Sequence, residues 1–355
     1  RLETVRISRS SADQRRGRAG RTAPGNCYRL WSESAHDSLL PQAPAEILEA
    51  DLAPLALELA CWGCNDPAAL TWIDPPPPAP LAQARDLLAR LEAIDSGGRV
   101  TPPGRDMAAL GLHPRLAHMV LRGCDLGLER LASWIAALLS ERDPLRAGPG
   151  FRDADFAHRI EVLHGRAAPP GMDVDSGAVR RVQRVIQQVE RQLGRTRPSR
   201  APAMPHLAEG DAVGLLLAFA YPDRIGRARD GGSGRYALSG SRGATFTEAT
   251  ALARSEFIVV AALDAGDREA RIQLAASLDP ALLETHFSAS IHEGASVAWD
   301  PKSETVAARR VRRLGALVLR DEPLRNAPAD ALLAAMLDGI RSLGLGCLPW
   351  TRGLE

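Results

Sequence analysis

Residues Ser11–Arg21 read SADQRRGRAGR and place four arginines and two glycines within the eight positions from Gln14 to Arg21. Ser11 followed three positions later by Gln14 has the form of a capping box, which predicts a helix start. Thr22-Ala23-Pro24-Gly25 then predicts its end. On that helix Gln14, Arg18 and Arg21 fall at i, i+4 and i+7, one face. Two guanidiniums stacked on one face repel unless an anion lies between them. Gly17 and Gly20 carry no side chain, so a backbone or a phosphate can come close. A planar fork of permanently charged donors suits the oxygens of a phosphoryl group.

Composition alone would also allow a solvated Arg/Gly-rich loop or an RNA-binding tail. The order of residues favours a motif. Gln14-Arg15-Arg16-Gly17-Arg18-Ala19-Gly20-Arg21 resembles motif VI of the DEAH/DExH superfamily 2 helicases, and Gly25-Asn26-Cys27-Tyr28-Arg29-Leu30-Trp31 resembles the strand that follows it there. In that family ATP lies between two RecA-like lobes. The resemblance implies that Arg18 and Arg21 are arginine fingers on the γ-phosphate and that Gln14 helps to place the attacking water. Preset cations of this kind stabilise charge that builds on the equatorial oxygens, an effect worth roughly 10³ to 10⁵ in rate. Arg15 and Arg16 lie off that face and read as structural or nucleic-acid-facing.

The 355 residues predict two to three domains or several smaller modules. Hydrophobic residues at 45% provide for real cores, while 25% charged residues and a net charge of +1 fit an ordinary soluble protein, so nucleic-acid binding has to be local. Lys302 is the single lysine, so nearly all positive charge is arginine. This bias fits a GC-rich genome and discounts any individual arginine as evidence. No apolar run is long enough to span a membrane. The five cysteines are Cys27, Cys61, Cys64, Cys124 and Cys347. CWGC at 61–64 suggests a redox pair or half a zinc site. Without a second CxxC or a paired His motif, buried free thiols in a reducing cytoplasm are the preferred reading. His113, His118, His158, His164 and His206 lack ligand spacing, so no metal site is expected. The chain opens without Met inside an expected strand, Glu3–Ile7, and reads as a piece of a longer polypeptide. It contains no GxxxxGK[ST] and no DExH tetrad.

Farther along, Ala45–Cys61 reads as an amphipathic helix that Pro54 kinks or splits. Asp74–Pro80, DPPPPAP, reads as a stiff extended spacer rather than an SH3 ligand. Leu81–Ile94 predicts a strong helix, Asp95–Thr101 a turn between short strands, and Gly104–Leu110 another helix. This is a winged-helix pattern, and it resembles the winged-helix domain behind the second RecA-like lobe in the helicase family. From His113 to about Leu193 the pattern is helical throughout, with helices over Gly127–Ser140, Phe151–Leu163 and Ser176–Leu193. His113-Pro114-Arg115-Leu116-Ala117 resembles the family's entry to the ratchet domain. Arg180 and Arg184 on the last helix are candidates for an RNA path, with a solvated helix face as the competing reading.

Arg195–Pro205 reads as a linker. Beyond a short apolar helix at Asp211–Tyr221 the period changes to two, with strands expected at Gly234–Leu238, Phe257–Leu263, Ala270–Leu274, Ala295–Asp300 and Glu304–Leu319. Gly231-Gly232 and Asp264–Asp267 are the expected turns, and Pro280–Phe287 an interrupting helix. A small OB-like β-barrel fits, and the family carries one here. Arg235, Tyr236 and Arg271 are its candidates for contact with single-stranded backbone and bases, although aromatics are only 4% of the chain and stacking platforms correspondingly few. Ala327–Leu345 predicts a final helix. With the LPWT tail at Leu348–Thr351 it resembles the HrpB branch of the bacterial DEAH-box helicases.

The expected fold class is thus multi-domain and mainly α with a β-rich C-terminal part. The expected segments are the end of a RecA-like α/β lobe (1–44), a winged helix (45–112), a helical ratchet bundle (113–200), an OB-like β domain (206–320) and the start of an HrpB-type C-terminal region (321–355). The resemblance implies ATP with Mg²⁺, the metal ligands lying outside this chain. The implied partners are RNA, with single-stranded DNA as a variant, and upstream RecA-like lobes of the same polypeptide. Two rival readings are a non-catalytic nucleic-acid-binding module and a scaffold whose arginines dock an acidic protein.

Overall fold

The computed structural model describes residues 6–148, 153–196, 207–229, 234–264 and 269–348. The chain forms two compact units, Arg1–Ala108 and Ala109–Glu355.

The first unit begins with α1 (Arg9–Ala19), capped by the Ser8 hydroxyl, which accepts from Ser11 N. The helix therefore starts earlier than the Ser11–Gln14 spacing predicts, because Ser8 supplies the side-chain oxygen and Ser11 the third helical amide. It ends at Gly20, so Arg21 follows the helix instead of extending its face. No strand is formed at Arg6–Ile7 or over Gly25–Leu30, and the rest of the expected first strand lies outside the described residues. Gly25 is required where it stands: a Cβ there would lie 2.0 Å from the Ala19 carbonyl oxygen.

After α2 (Glu33–Asp37), the Ala45–Cys61 run is two helices, α3 (Glu46–Glu49) and α4 (Ala53–Cys61). Pro54 lies in the first turn of α4, where its missing N–H costs nothing. The proline spacer leads directly into α5 (Pro78–Arg90), with Pro78 and Pro80 in the opening turn. Leu81, Ala84, Leu87, Leu88 and Leu91 are buried as their spacing predicts. The expected short strands reduce to one bridge, Ile94 to Val100, around the Asp95–Arg99 turn. The Asp95 carboxylate accepts from the Gly97 and Arg99 amides. α6 (Pro102–Ala109) is opened by the Thr101 hydroxyl, which accepts from Gly104 N. A Cβ on Gly104 would lie 2.1 Å from the Ala93 carbonyl oxygen, so only glycine permits this approach.

In the second unit α7 (Pro114–Asp125), α8 (Glu129–Ser140) and α10 (Ser176–Thr196) pack together. α10 buries Val182, Ile186, Val189 and Leu193 along one stripe. The segment is not helical throughout: β1 (Leu145–Ala147) pairs antiparallel with β2 (Met172–Val174), flanking α9 (Ala157–Leu163). Three-residue strands are too short for a period-two pattern to register. α11 (Glu209–Ala220) is buried continuously from Ala212 to Ala220 and packs against α7, α8 and the barrel.

The barrel is closed and has the order β3 (Ile225–Ala228), β4 (Arg235–Leu238), β5 (Gly243–Thr245), β7 (Glu269–Ser277), β6 (Phe257–Asp264). β5 and β7 are parallel and the other pairs antiparallel. Its interior holds Tyr236, Leu238, Ile258, Val260 and Ile272. The Gly231-Gly232 turn and most of the Asp264–Asp267 turn lie outside the described residues.

α12 (Pro280–His286) separates the barrel from a second sheet, the meander β8 (Ile291–Asp300), β9 (Thr305–Leu314) and β10 (Leu317–Pro323). The strand expected over Glu304–Leu319 is thus two strands turning at Gly315, whose φ is +57°. These strands stand outside the barrel, and β10 runs across the boundary expected at 320/321. α13 (Ala329–Leu343) lies on β8 and β9, where Gly339 meets the Trp299 ring.

Candidate arginine site and nucleic-acid surfaces

α1 carries Arg9, Arg15, Arg16 and Arg18 on a helix that buries a single residue, Ala12. Gln14 and Arg18 share a face one turn apart, and Arg21 stands in the bend that follows. All three are exposed, and among the described residues none of their side chains has an ion-pair or hydrogen-bond partner. The face is therefore two segments, a helical pair and a following guanidinium. Gly17 and Gly20 have open space around them, so nothing within the fold explains why they lack side chains.

The acid on this helix is committed elsewhere. Arg29 Nη2 donates to Asp13 Oδ1 at 2.6 Å. Arg29 Nη1 lies 3.1 Å from His36 Nε2 and 3.3 Å from Nδ1. Sequence reading took Arg29 only as part of a strand. Its function as a tie is invisible without knowing that residues 25–30 fold back along α1.

Arg180 and Arg184 occupy successive turns of α10, exposed, and line a shallow groove with Arg181 and Gln187. Arg181 is drawn to Glu141 at 3.6 Å.

On the barrel, Arg235 pairs with Thr245 on β5, and Thr245 pairs with Arg271 on β7, so the two arginines flank one threonine across three strands. Both are exposed. Arg235 donates to Glu269 at 2.9 Å, and this hydrogen bond, with the charges of Arg235 and Arg229, holds the Glu269 carboxyl below its ordinary pKa. Tyr236 is not a stacking platform. It is fully buried, and its hydroxyl donates to the carbonyls of Leu252 at 2.8 Å and Ser255 at 2.9 Å. Burial pushes the phenol up to about 12. Arg235 and Tyr236 are adjacent on a strand, so they face opposite sides of the sheet and cannot both meet a ligand.

The histidines are capping and pairing residues: His113 Nδ1 accepts from Arg115 N, His158 meets Asp153, and His164 meets Glu209. His206 lies outside the described residues. Among the described residues there is no cluster of three His, Cys, Asp or Glu side chains able to hold a metal. All five cysteines are free thiols; Cys124 is buried, whereas Cys27, Cys61 and Cys347 are exposed and Cys64 is intermediate. Cys61 and Cys64 are thus not the buried pair expected, because α4 turns that end outward.

Two arginine ties leave no mark in the sequence pattern. Arg115 makes a two-pronged pair with Asp223, at 2.5 and 3.0 Å, and also donates to the Ala220 carbonyl at 3.1 Å. Burial raises the Asp223 pKa, but Arg115 and Arg224 outweigh it and hold the carboxyl below its ordinary value. Arg159 is 4% exposed and donates to both Asp143 and Asp153.

The three-stranded meander coincides with a family match: residues 291–324 fit the model described as ATP-dependent RNA helicase HrpB, connector region. Along its whole length the chain is 35% identical to the ATP-dependent RNA helicase HrpB of Escherichia coli, over 357 residues. The chain is HrpB-like. It spans 40% of the length of that relative. The crystal structure of the E. coli DExH-box NTPase HrpB superposes on the HrpB-like chain with a TM-score of 0.71 at 33% identity, covering 99% of this chain and 40% of the other. A probable ATP-dependent RNA helicase of Mus musculus, DHX34, is 39% identical over 144 residues, 41% of this chain and 13% of that protein. Among the described residues of the HrpB-like chain no helix is long and apolar enough to cross a membrane.

Proposed function

We propose that this chain is part of an ATP-dependent RNA helicase of the DEAH/DExH class and contributes the arginine fingers and the accessory nucleic-acid-binding modules. The observation that carries the reading is the end of α1: Gln14 and Arg18 on one helix face and Arg21 in the bend that follows are exposed, with no carboxylate paired to them among the described residues. Such a donor set fits the terminal phosphate of ATP. It does not fit Mg²⁺, since guanidiniums are cations with no lone pair to offer and the one carboxylate on α1, Asp13, is tied to Arg29; the metal ligands are placed elsewhere in the polypeptide. Bound ATP supplies the phosphoryl group and the leaving nucleoside diphosphate. Arg18 and Arg21 hold positive charge against the equatorial oxygens, and Gln14 orients the attacking water.

Residues 45–112 are read as a winged helix, the α7–α10 bundle as a ratchet domain and the five-stranded barrel as an OB-like module. Arg180 and Arg184, and the Arg235–Thr245–Arg271 row, are the proposed RNA-contacting positions; single-stranded DNA offers the same backbone chemistry. The supporting features are exposure, register and the likeness to the HrpB helicase along the whole chain.

In the full-length protein, Arg21→Ala should abolish RNA-stimulated ATP turnover while RNA affinity is retained. If turnover survives and RNA binding collapses, the chain is a nucleic-acid-binding module instead. Residues 1–355 alone should not hydrolyse ATP, and measurable turnover from them would defeat the assignment of α1.

A further inference from the structure

We propose that Arg29 is a positioning residue for the arginine-finger helix, acting through Asp13 to fix the orientation of α1. The inference rests on the reading of Arg18 and Arg21 given above. α1 buries only Ala12, so packing does little to set its direction. Its other hydrogen bonds to distant segments, among the described residues, lie at the N-terminal end. Arg9 Nε donates to the Leu39 carbonyl, Arg9 N to the Leu40 carbonyl at 2.9 Å and Ser10 N to the Pro41 carbonyl at 3.1 Å. A helix held at one end pivots at the other, and Gly17 in its final turns adds backbone freedom. Arg18 and Arg21 stand at that end, which is backed by the close approach of Gly25 to the Ala19 carbonyl and by no hydrogen bond to another segment among the described residues.

Asp13 sits one residue before Gln14 and five before Arg18. Arg29 reaches it from the extended segment that doubles back after Gly25. The Arg29 side chain is 25% exposed, against 50% for Asp13. Its second arm rests on His36 of α2, so a single guanidinium spans α1, the returning segment and α2. Among the described residues this is the one side-chain bond that ties α1, beyond its first turn, to another segment of the chain. Arginine is suited to this because its planar fork bonds two partners in fixed geometry, which lysine cannot do.

The test uses the full-length protein and steady-state ATP hydrolysis with saturating RNA. Arg29→Ala should lower kcat by about 10- to 10²-fold, since displacement of a catalytic group by about 1 Å costs that order, with the KM for ATP and the RNA affinity within about twofold of wild type. Arg29→Lys should recover part of the loss. Asp13→Asn, which keeps the side-chain shape, should reproduce the loss if Arg29→Ala does not fold. In an Arg18→Ala background, Arg29→Ala should cost little more, because the group it positions is already gone.

Multiplying losses in the double variant would make Arg29 a stability residue only and overturn the inference. So would wild-type kcat in Arg29→Ala and Asp13→Asn while Arg18→Ala is inactive. Full turnover in Arg18→Ala would instead overturn the finger assignment itself, and this inference with it.

Discussion

Arg18 and Arg21 at the end of α1 and three of the four arginines of β9, Arg309, Arg310 and Arg312, have the same chemistry and opposite situations. On β9, Arg309 is paired to Asp321, Arg310 to Glu293, and Arg312 to Glu284 and Glu293. Arg18 on α1 and Arg21 just beyond it have no such partner among the described residues. In a chain whose positive charge is almost entirely arginine, the residue type says little about function. What distinguishes the sites is whether a carboxylate of the same fold has already answered the charge. The paired guanidiniums of β9 are part of the structure, whereas the exposed, unanswered pair at the end of α1 is available to a ligand.

That contrast can be broken in several ways, and the largest effect should come from α1. Arg18→Ala in the full-length protein should lower ATP turnover by at least about 10³-fold with little change in thermal stability, measured by a coupled assay and by calorimetry. Next comes the buried counterpart. Arg159→Ala strips the main charge partner from Asp153, whose side chain is 10% exposed, and should destabilise the fold by about 3 kcal/mol in urea titration.

A smaller, pH-dependent effect belongs to Asp223. Its folded pKa is depressed, so the stability it contributes is fully present above the ordinary carboxylate range and is lost as pH falls through the folded value. Unfolding free energy should therefore decline as pH drops below about 4, and Asp223→Asn should flatten that part of the profile. The smallest effect is expected on β9: Arg309→Ala removes an exposed pair, and both the melting temperature and ATP turnover should stay at wild-type values. A loss of turnover there would mean that pairing does not separate structural from functional arginines in this chain.

Much of the helical architecture was legible because periodicity reports burial directly. Val182, Ile186, Val189 and Leu193 lie inside as their spacing demands. Pro54 marked the break between α3 and α4 because proline has few places in a helix. The arginine-rich stretch was legible as a helix, but its shape was not. A cap at Ser8 outcompeted the one expected at Ser11, and Gly20 closed the helix before Arg21. Tyr236 was misplaced despite an available signal: it alternates with Arg235 and Ala237 and shares its side with Leu238, which is the pattern of an interior residue. β3 and β5 escaped notice because four and three residues carry almost no period. The pairing of Arg29 with Asp13 could not be seen at all, since partners 16 positions apart are set by how a loop returns.

The linker around Arg195–Pro205 looks like a place to divide the molecule, yet α11 argues against cutting there. It is sheathed on one side by α7 and α8 and on the other by β6 and β7. A cut there would leave α11 with the barrel and strip α7 and α8 from its nine consecutive buried residues, Ala212–Ala220. Main-chain bonds also stitch Ala154 and Phe156 to Ala275 of β7. Helices and barrel are thus welded around a shared greasy spindle, and any truncation meant to isolate one of them will yield sticky, misfolding fragments rather than a working half.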